Sequence, residues 1–221
     1  MKTLTMAAVN IDGVLLIDTF SPVLKSIVAT FEIEYTPTLE RALFSRPQAL
    51  AAHYLISQYN LSLTPGELIK LFFDERDAYI KNNPGLLSDG VEALLNVLHG
   101  STLSILCYGG LREDHFKKEL GAYLPYFTTY ICTNDFRPGI KEIVQDICRI
   151  DGNRIVFIDD VNTVAESAKE NNIPFIGVPS TEFQKQDMIK TGVQFMVTSL
   201  RDIDLNYITA VDNAAYNGSC W

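Results

Sequence analysis

The run Arg154-Ile155-Val156-Phe157-Ile158, followed at once by Asp159-Asp160, constrains the fold more than any other segment. A short apolar run without polar alternation suits a strand covered on both faces. Such strands belong to parallel sheets packed between helices. The chain around it keeps the matching rhythm. Helices are predicted over residues 88–98, 111–120, 140–150, 161–171 and 182–190, and strands over 103–107, 130–132, 174–178 and 195–197. A first strand over residues 4–9 ends in the turn Asn10-Ile11-Asp12-Gly13. Strands alternating with helices imply an α/β protein with a doubly wound, Rossmann-like parallel sheet. In that architecture ligands sit beyond the carboxyl ends of the strands.

Between the first strand and the second the pattern is helical. Val23, Leu24, Ile27, Val28 and Phe31 recur at helical spacing, and Leu50, Tyr54 and Leu55 continue it. Leu68, Leu71, Phe72 and Ala78 follow a capping signal at Thr64, with Pro65 at the first helical position and Glu67 behind it. The turn Asn82-Asn83-Pro84-Gly85 closes this segment. A chain of 221 residues, 47% hydrophobic, suffices for a core with one insertion. Residues 1–18 and 84–221 are therefore expected to form the α/β core, and residues 19–83 a helical insert. Only 20% of residues are charged, which argues against long disordered tracts.

The net charge of −9, from 18 basic and 27 acidic residues, lacks the basic footprint of a nucleic-acid binder. It does not exclude phosphorylated small molecules, which are held by local donors. No apolar stretch reaches membrane-span length, and the N-terminus lacks the apolar region of a signal peptide, so no membrane partner and a cytoplasmic protein are expected. Cys107, Cys132, Cys148 and Cys220 have neither CxxC nor zinc-ligand spacing and read as buried thiols in a reducing compartment. The polar tail, residues 213–221, reads as a frayed end.

The strand ends carry the chemistry. They present Asn10 and Asp12, then Cys107 and Tyr108, then Asn134 and Asp135 with Arg137-Pro138 close behind, and then Asp159-Asp160. Adjacent carboxylates repel unless something neutralises them. Asp159-Asp160 suits a hard cation such as Mg²⁺, or one of the pair caps the following helix.

The segment Val9-Asn10-Ile11-Asp12-Gly13-Val14-Leu15-Leu16-Ile17-Asp18-Thr19 resembles the first signature of the haloacid dehalogenase-like (HAD) hydrolases. Residues 155–161 resemble their fourth signature, residues 84–98 the helix leading back from a cap, and Arg137-Pro138 stands where the family has Lys-Pro. The resemblance covers nearly the whole chain. It implies a HAD-like core with a C1 cap, of the phosphatase and phosphomutase branch. It also implies roles: a nucleophile at position 10, an acid/base at Asp12, phosphate-holding groups at Cys107 and Arg137, and Mg²⁺ held by Asp12, Asp159 and Asp160.

The sequence departs from that pattern. Asn10 replaces the aspartate that attacks phosphorus, and a carboxamide is a very poor nucleophile. The missing carboxylate removes the dehalogenase reaction as well. Cys107 stands for Ser or Thr, and Arg137 for Lys, with Lys141 one helical turn on as another candidate cation. Asn10 either ligates a cation through its carbonyl oxygen or satisfies backbone groups of its turn. In the insert, Arg41, Arg46, His53, Lys70, Arg76 and Lys81 read as solvated surface charges. The expected function is a HAD-like protein without phosphatase turnover, with a weakened Mg²⁺ and phosphate pocket. It would bind a phosphorylated small molecule or a protein partner. The alternatives are an active Mg²⁺-dependent phosphatase or phosphomutase represented by an Asn10 variant, and a non-enzymatic interaction module.

Overall fold

A computed structural model describes residues 1–83 and 85–221. Pro84, where the expected core boundary falls, lies outside the described residues. Six parallel strands form one sheet in the order β3-β2-β1-β4-β5-β6. They are β1 (Met6–Asn10), β2 (Ser104–Gly109), β3 (Phe127–Cys132), β4 (Ile155–Asp159), β5 (Phe175–Gly177) and β6 (Phe195–Met196). The central strands β1 and β4 are buried on both faces, as their apolar composition requires. This is the doubly wound α/β sheet expected from the sequence.

Alternation along each strand splits the core into two layers. Val9, Cys107 and Ile158 belong to one. It is covered by α5 (Val91–Gly100), through Leu94, Leu95 and Leu98, and by α10 (Leu205–Asn217), through Ile208 and Val211. Ala8, Tyr108 and Phe157 belong to the other. That layer is covered by α7 (Ile140–Glu142), α8 (Asn162–Glu170) and α9 (Glu182–Thr191). The remaining core helix, α6 (Glu113–Leu120), follows β2.

Four helices lie between β1 and α5: α1 (Phe20–Thr30), α2 (Pro37–Leu43), α3 (Gln48–Tyr59) and α4 (Pro65–Asn82). The capping signal at Thr64 is realised on both sides. Thr64 Oγ1 accepts from the Glu67 N–H at 3.3 Å, and Glu67 Oε2 accepts from the Thr64 N–H at 2.7 Å. The two chain segments that lead into and out of these helices run side by side, with Ile17 N–H donating to Leu86 O at 2.8 Å and Ser88 N–H to Leu15 O at 3.0 Å.

Glu40, fully buried on α2, joins the helices to the sheet layer. Its carboxylate accepts from Tyr35 OH at 2.6 Å, Thr181 Oγ1 at 2.8 Å and Gln184 Nε2 at 2.7 Å. Beside it, Arg41 pairs with Glu166 and with Asp187.

Three expectations are corrected. The helix predicted over residues 140–150 is α-helical only through Glu142, and a π-helical segment, Ile143–Cys148, continues it. The tail is not frayed. Residues 213–217 complete α10 and the end then docks, with Cys220 only 5% exposed and Trp221 Nε1 donating to Ile173 O at 3.1 Å. The Trp221 ring stacks on Phe175 at 6.2 Å between centroids. Finally, all four thiols are free, but Cys132, at the end of the edge strand β3, is exposed and not buried. No helix among the described residues is long and apolar enough to cross a membrane.

Candidate functional site

The carboxyl ends of β1, β2 and β4 are neighbours in the middle of the sheet, and their register sets the site. Asn10 is level with Tyr108 on one side, and Val9 is level with Ile158 on the other. Asn10, Tyr108 and Asp159 therefore project to the same side, and Asp160 follows at the strand end. All four are buried, Asn10 to 3% exposure and Asp159 to none.

The buried polar groups satisfy one another. Asn10 Nδ2 donates to Asp160 Oδ1 at 3.2 Å. The Tyr108 hydroxyl donates to Asp159 Oδ2, and the Val161 N–H to Asp159 Oδ1 at 2.8 Å. Asp159 holds the N–H of Val161, the residue just ahead of α8, but α8 itself starts without a side-chain cap bond, so neither acid of the pair caps it. Gly13 is required here twice over: its φ is +91°, and a Cβ on it would fall 2.2 Å from Asp160 Oδ2.

Asp12, on the turn after β1, faces a different set of partners. Its Oδ1 is 3.2 Å from His115 Nε2 on α6 and 3.6 Å from Arg76 Nη2 on α4. Arg76 Nε donates to Thr19 Oγ1 at 3.0 Å. Arg137 reaches the same space over Gly110, whose hypothetical Cβ would lie 2.3 Å from Arg137 Nη1.

These groups open onto a cavity of about 170 Å³ between the sheet end and the four inserted helices. Asn10, Asp12, Asp18, Asp160, Arg76 and Arg137 line its polar part. The rest of the wall is largely apolar, with Phe20, Leu24, Leu55, Leu68, Phe72 and Phe73.

The structure thus brings Asn10, Asp12, Arg137 and Asp160 to one cavity, with Asp159 just behind them. It does not bring Cys107 there. Cys107 is fully buried in the opposite layer beside Val9 and Ile158, and Tyr108 takes the place expected for it. Burial pushes the Cys107 thiol well up, so it supplies no thiolate. Lys141 is exposed and lines no part of the cavity, leaving Arg137 as the cation from that region. Arg76 is not a solvated charge: it is 7% exposed and sits in the wall. His115 was missed, and Tyr108, though named at its strand end, was given no role. Period-two alternation from Asn10's neighbour on β2 signals Tyr108. Nothing in the sequence singles out His115, since a histidine in the first turn of a helix is common.

The electrostatics follow from burial. Burial pushes the Asp160 carboxyl well above its ordinary value, and the negative charges of Asp159 and Asp18 add to it. Burial also raises Asp159, opposed by the Tyr108 hydroxyl, the Val161 N–H and the Arg137 charge. Tyr108 is likewise pushed well up by burial and by Asp159, so it remains a hydrogen-bond donor.

The donor set does not fit a Mg²⁺ centre of the resembled kind. Asp12 is turned to His115 and Arg76, both oxygens of Asp159 already accept protons, and Asn10 aims its amide at Asp160. Among the described residues no group of three or more His, Cys, Asp or Glu side chains is placed to hold a metal ion. A hard cation wants several free oxygen ligands converging on one point, and here Asp12 and Asp159 are committed to other partners.

Similar folds are numerous among solved structures. A β-phosphoglucomutase from Clostridium difficile superposes with a TM-score of 0.74 at 13% identity, covering 97% of this chain and 99% of that one. A predicted phosphatase from Clostridium acetobutylicum gives a TM-score of 0.65 at 19% identity, covering 94% and 100%. The chain has the haloacid dehalogenase-like fold. Another HAD-like neighbour is a mutant of CbbY from Rhodobacter sphaeroides, with an aspartate changed to asparagine, in complex with xylulose-(1,5)bisphosphate. It matches at 11% identity and a TM-score of 0.66, covering 92% and 98%. No family model and no curated protein matches the chain.

Proposed function

We propose that the chain is a binding protein built on a HAD-like phosphatase fold, without phosphatase turnover and without a working Mg²⁺ centre. The four inserted helices act as its cap, and the ligand is an anionic small molecule held between cap and sheet. One observation carries the reading: the first strand ends in a carboxamide whose nitrogen donates to Asp160 Oδ1. An amide nitrogen so placed offers no electron pair to phosphorus. Losing a covalent nucleophile costs many powers of ten in rate. The remaining groups retain a binding role. Arg137 and Arg76 supply donors for anionic oxygens. Asp12, held by His115, orients Arg76. The Tyr108 hydroxyl keeps the carboxylate pair in place where a metal ion would otherwise do so.

A second reading is favoured by a specific observation. The CbbY mutant with asparagine for aspartate carries a bisphosphate ligand. An active phosphatase or phosphomutase represented by an asparagine variant is therefore a coherent alternative. Phosphate release from a broad panel of phosphomonoesters, measured with Mg²⁺ for the chain and for Asn10→Asp, separates the two. Silence of both supports the binding reading. Robust activity of Asn10→Asp supports the alternative, and activity of the chain itself refutes the proposal.

A further inference from the structure

We infer that the ligand of this cavity is a small organic anion whose body is a single aryl or branched alkyl group, and not a sugar phosphate. The inference rests on the binding reading above and names its ligand class. Two independent features of the wall carry it.

The first is a pair of donors without acceptors. Arg76 Nη2 and Arg137 Nε are buried and have no hydrogen-bond partner among the described residues. Arg76 is more than nine-tenths buried, and its 3.6 Å separation from Asp12 is an attraction between charges, too long for a hydrogen bond. A guanidinium only donates, so what completes these two groups carries acceptor oxygens, as a phosphate or a carboxylate does. One oxygen of each acid of the wall is engaged: Asp18 Oδ1 accepts the N–H groups of Phe20 and Ser21 at 2.8 Å and 3.0 Å, Asp160 Oδ1 takes the Asn10 amide, and Asp12 Oδ1 takes His115. The two guanidinium atoms left without an acceptor point to an anion.

The second feature is the apolar part of the wall, lined by Phe20, Leu24, Leu55, Leu68, Phe72 and Phe73. The hydroxyls of a sugar would lose water there with few partners in exchange, which is costly. The polar side chains at its margin, Thr19, Ser45, Arg46 and Gln48, do not interrupt the apolar surface that these six residues form. The cavity of about 170 Å³ also sets a size. An engineered cavity of roughly 150 Å³ lined by similar side chains takes up benzene, so one ring or a short branched chain fits here.

The test is calorimetric titration of the full chain with phenyl phosphate, benzoate, inorganic phosphate, a hexose phosphate and benzylamine, with phosphate release read in the same samples. Phenyl phosphate, benzoate or both should bind about tenfold or more tighter than inorganic phosphate and the hexose phosphate. Binding of the hexose phosphate or of inorganic phosphate as tight as that of the aryl anions overturns the inference. So does preference for benzylamine, or no heat from any probe. Ala52, 5% exposed in the apolar wall, allows a steric check. Ala52→Phe should abolish the aryl preference, bringing the aryl anions down to the affinity of inorganic phosphate, and Ala51→Leu serves the same purpose if the first variant does not fold. Arg76→Met should weaken every anion. Release of phosphate from phenyl phosphate would count against the absence of turnover, while the same ranking of affinities would still support the ligand class.

Discussion

Asn10→Asp is the most informative single change, because it tests how close and how dry the site is before any ligand is considered. Asn10 Nδ2 stands 3.2 Å from Asp160 Oδ1 with both residues buried. Exchanging the amide for a carboxylate turns a hydrogen bond into a contact between like charges. At that separation, with an effective dielectric constant of about 20, two full charges repel by about 5 kcal/mol. That energy corresponds to more than about three pKa units, so the variant should keep one proton on the pair well above the ordinary carboxylate range. The sign of the pH dependence follows. The folded variant binds a proton that the unfolded chain releases near pH 4, so its stability falls as pH rises until the raised pKa is passed. Urea unfolding should show little difference between variant and parent at about pH 5, and a loss of a few kcal/mol for the variant at about pH 8, with 5 as a ceiling. Mg²⁺ should reverse the loss in the variant and leave the parent unchanged, since only the variant offers two facing carboxylates. A difference in stability that stays flat from pH 5 to pH 8 refutes the geometry assigned to these two side chains.

Three further outcomes follow from contacts outside the cavity. Asp212 accepts the N–H groups of Lys2, Thr3 and Leu4; burial alone would raise its carboxyl, but these donors outweigh it and hold the group below its ordinary value. Asp212→Asn should therefore cost about 2 kcal/mol near neutral pH, with the parent losing this advantage as pH falls below about 4 through the depressed pKa, so that the two unfolding curves converge in acid. Trp221→Ala should cost about 2–3 kcal/mol in urea unfolding, against the few tenths expected of a frayed residue. Glu40→Ala strands the Gln184 amide and the Thr181 hydroxyl and should destabilise by about 3–5 kcal/mol, with faster proteolytic cleavage in α1–α4 than in the sheet domain.

The fold was readable where burial imposes a period. β4 announces itself because a strand covered on both faces must be apolar throughout, and the Thr64-Pro65-Glu67 signal locates the start of α4 because its hydrogen bonds are local. The tail was not readable for the opposite reason. Leu205–Asn217 mixes polar residues with an apolar stripe, and only the sheet layer it packs on gives Ile208, Val211 and Ala215 a reason to line up. Arg76 and Glu40 have the composition of surface residues. Their burial depends on partners far away in sequence, Thr19 and Asp12 for the one, Thr181 and Gln184 for the other.

The site shows the same limit at the scale of one residue. Motif spacing placed a phosphate-holding group at Cys107, but side chains on a strand alternate between faces, so an error of one position moves the group through the sheet. The register of β1 with β2 decides the matter: Asn10 is level with Tyr108, and Cys107 is level with Val9 in the other layer. The consequence is chemical as well as positional. A thiol at that point would leave the carboxylate pair short of a strong donor, whereas the tyrosine hydroxyl, kept protonated by burial, reaches Asp159 directly. Asn10 and Tyr108 together give the two buried acids neutral donors, which lets these strand ends stay closely packed with two carboxylates side by side.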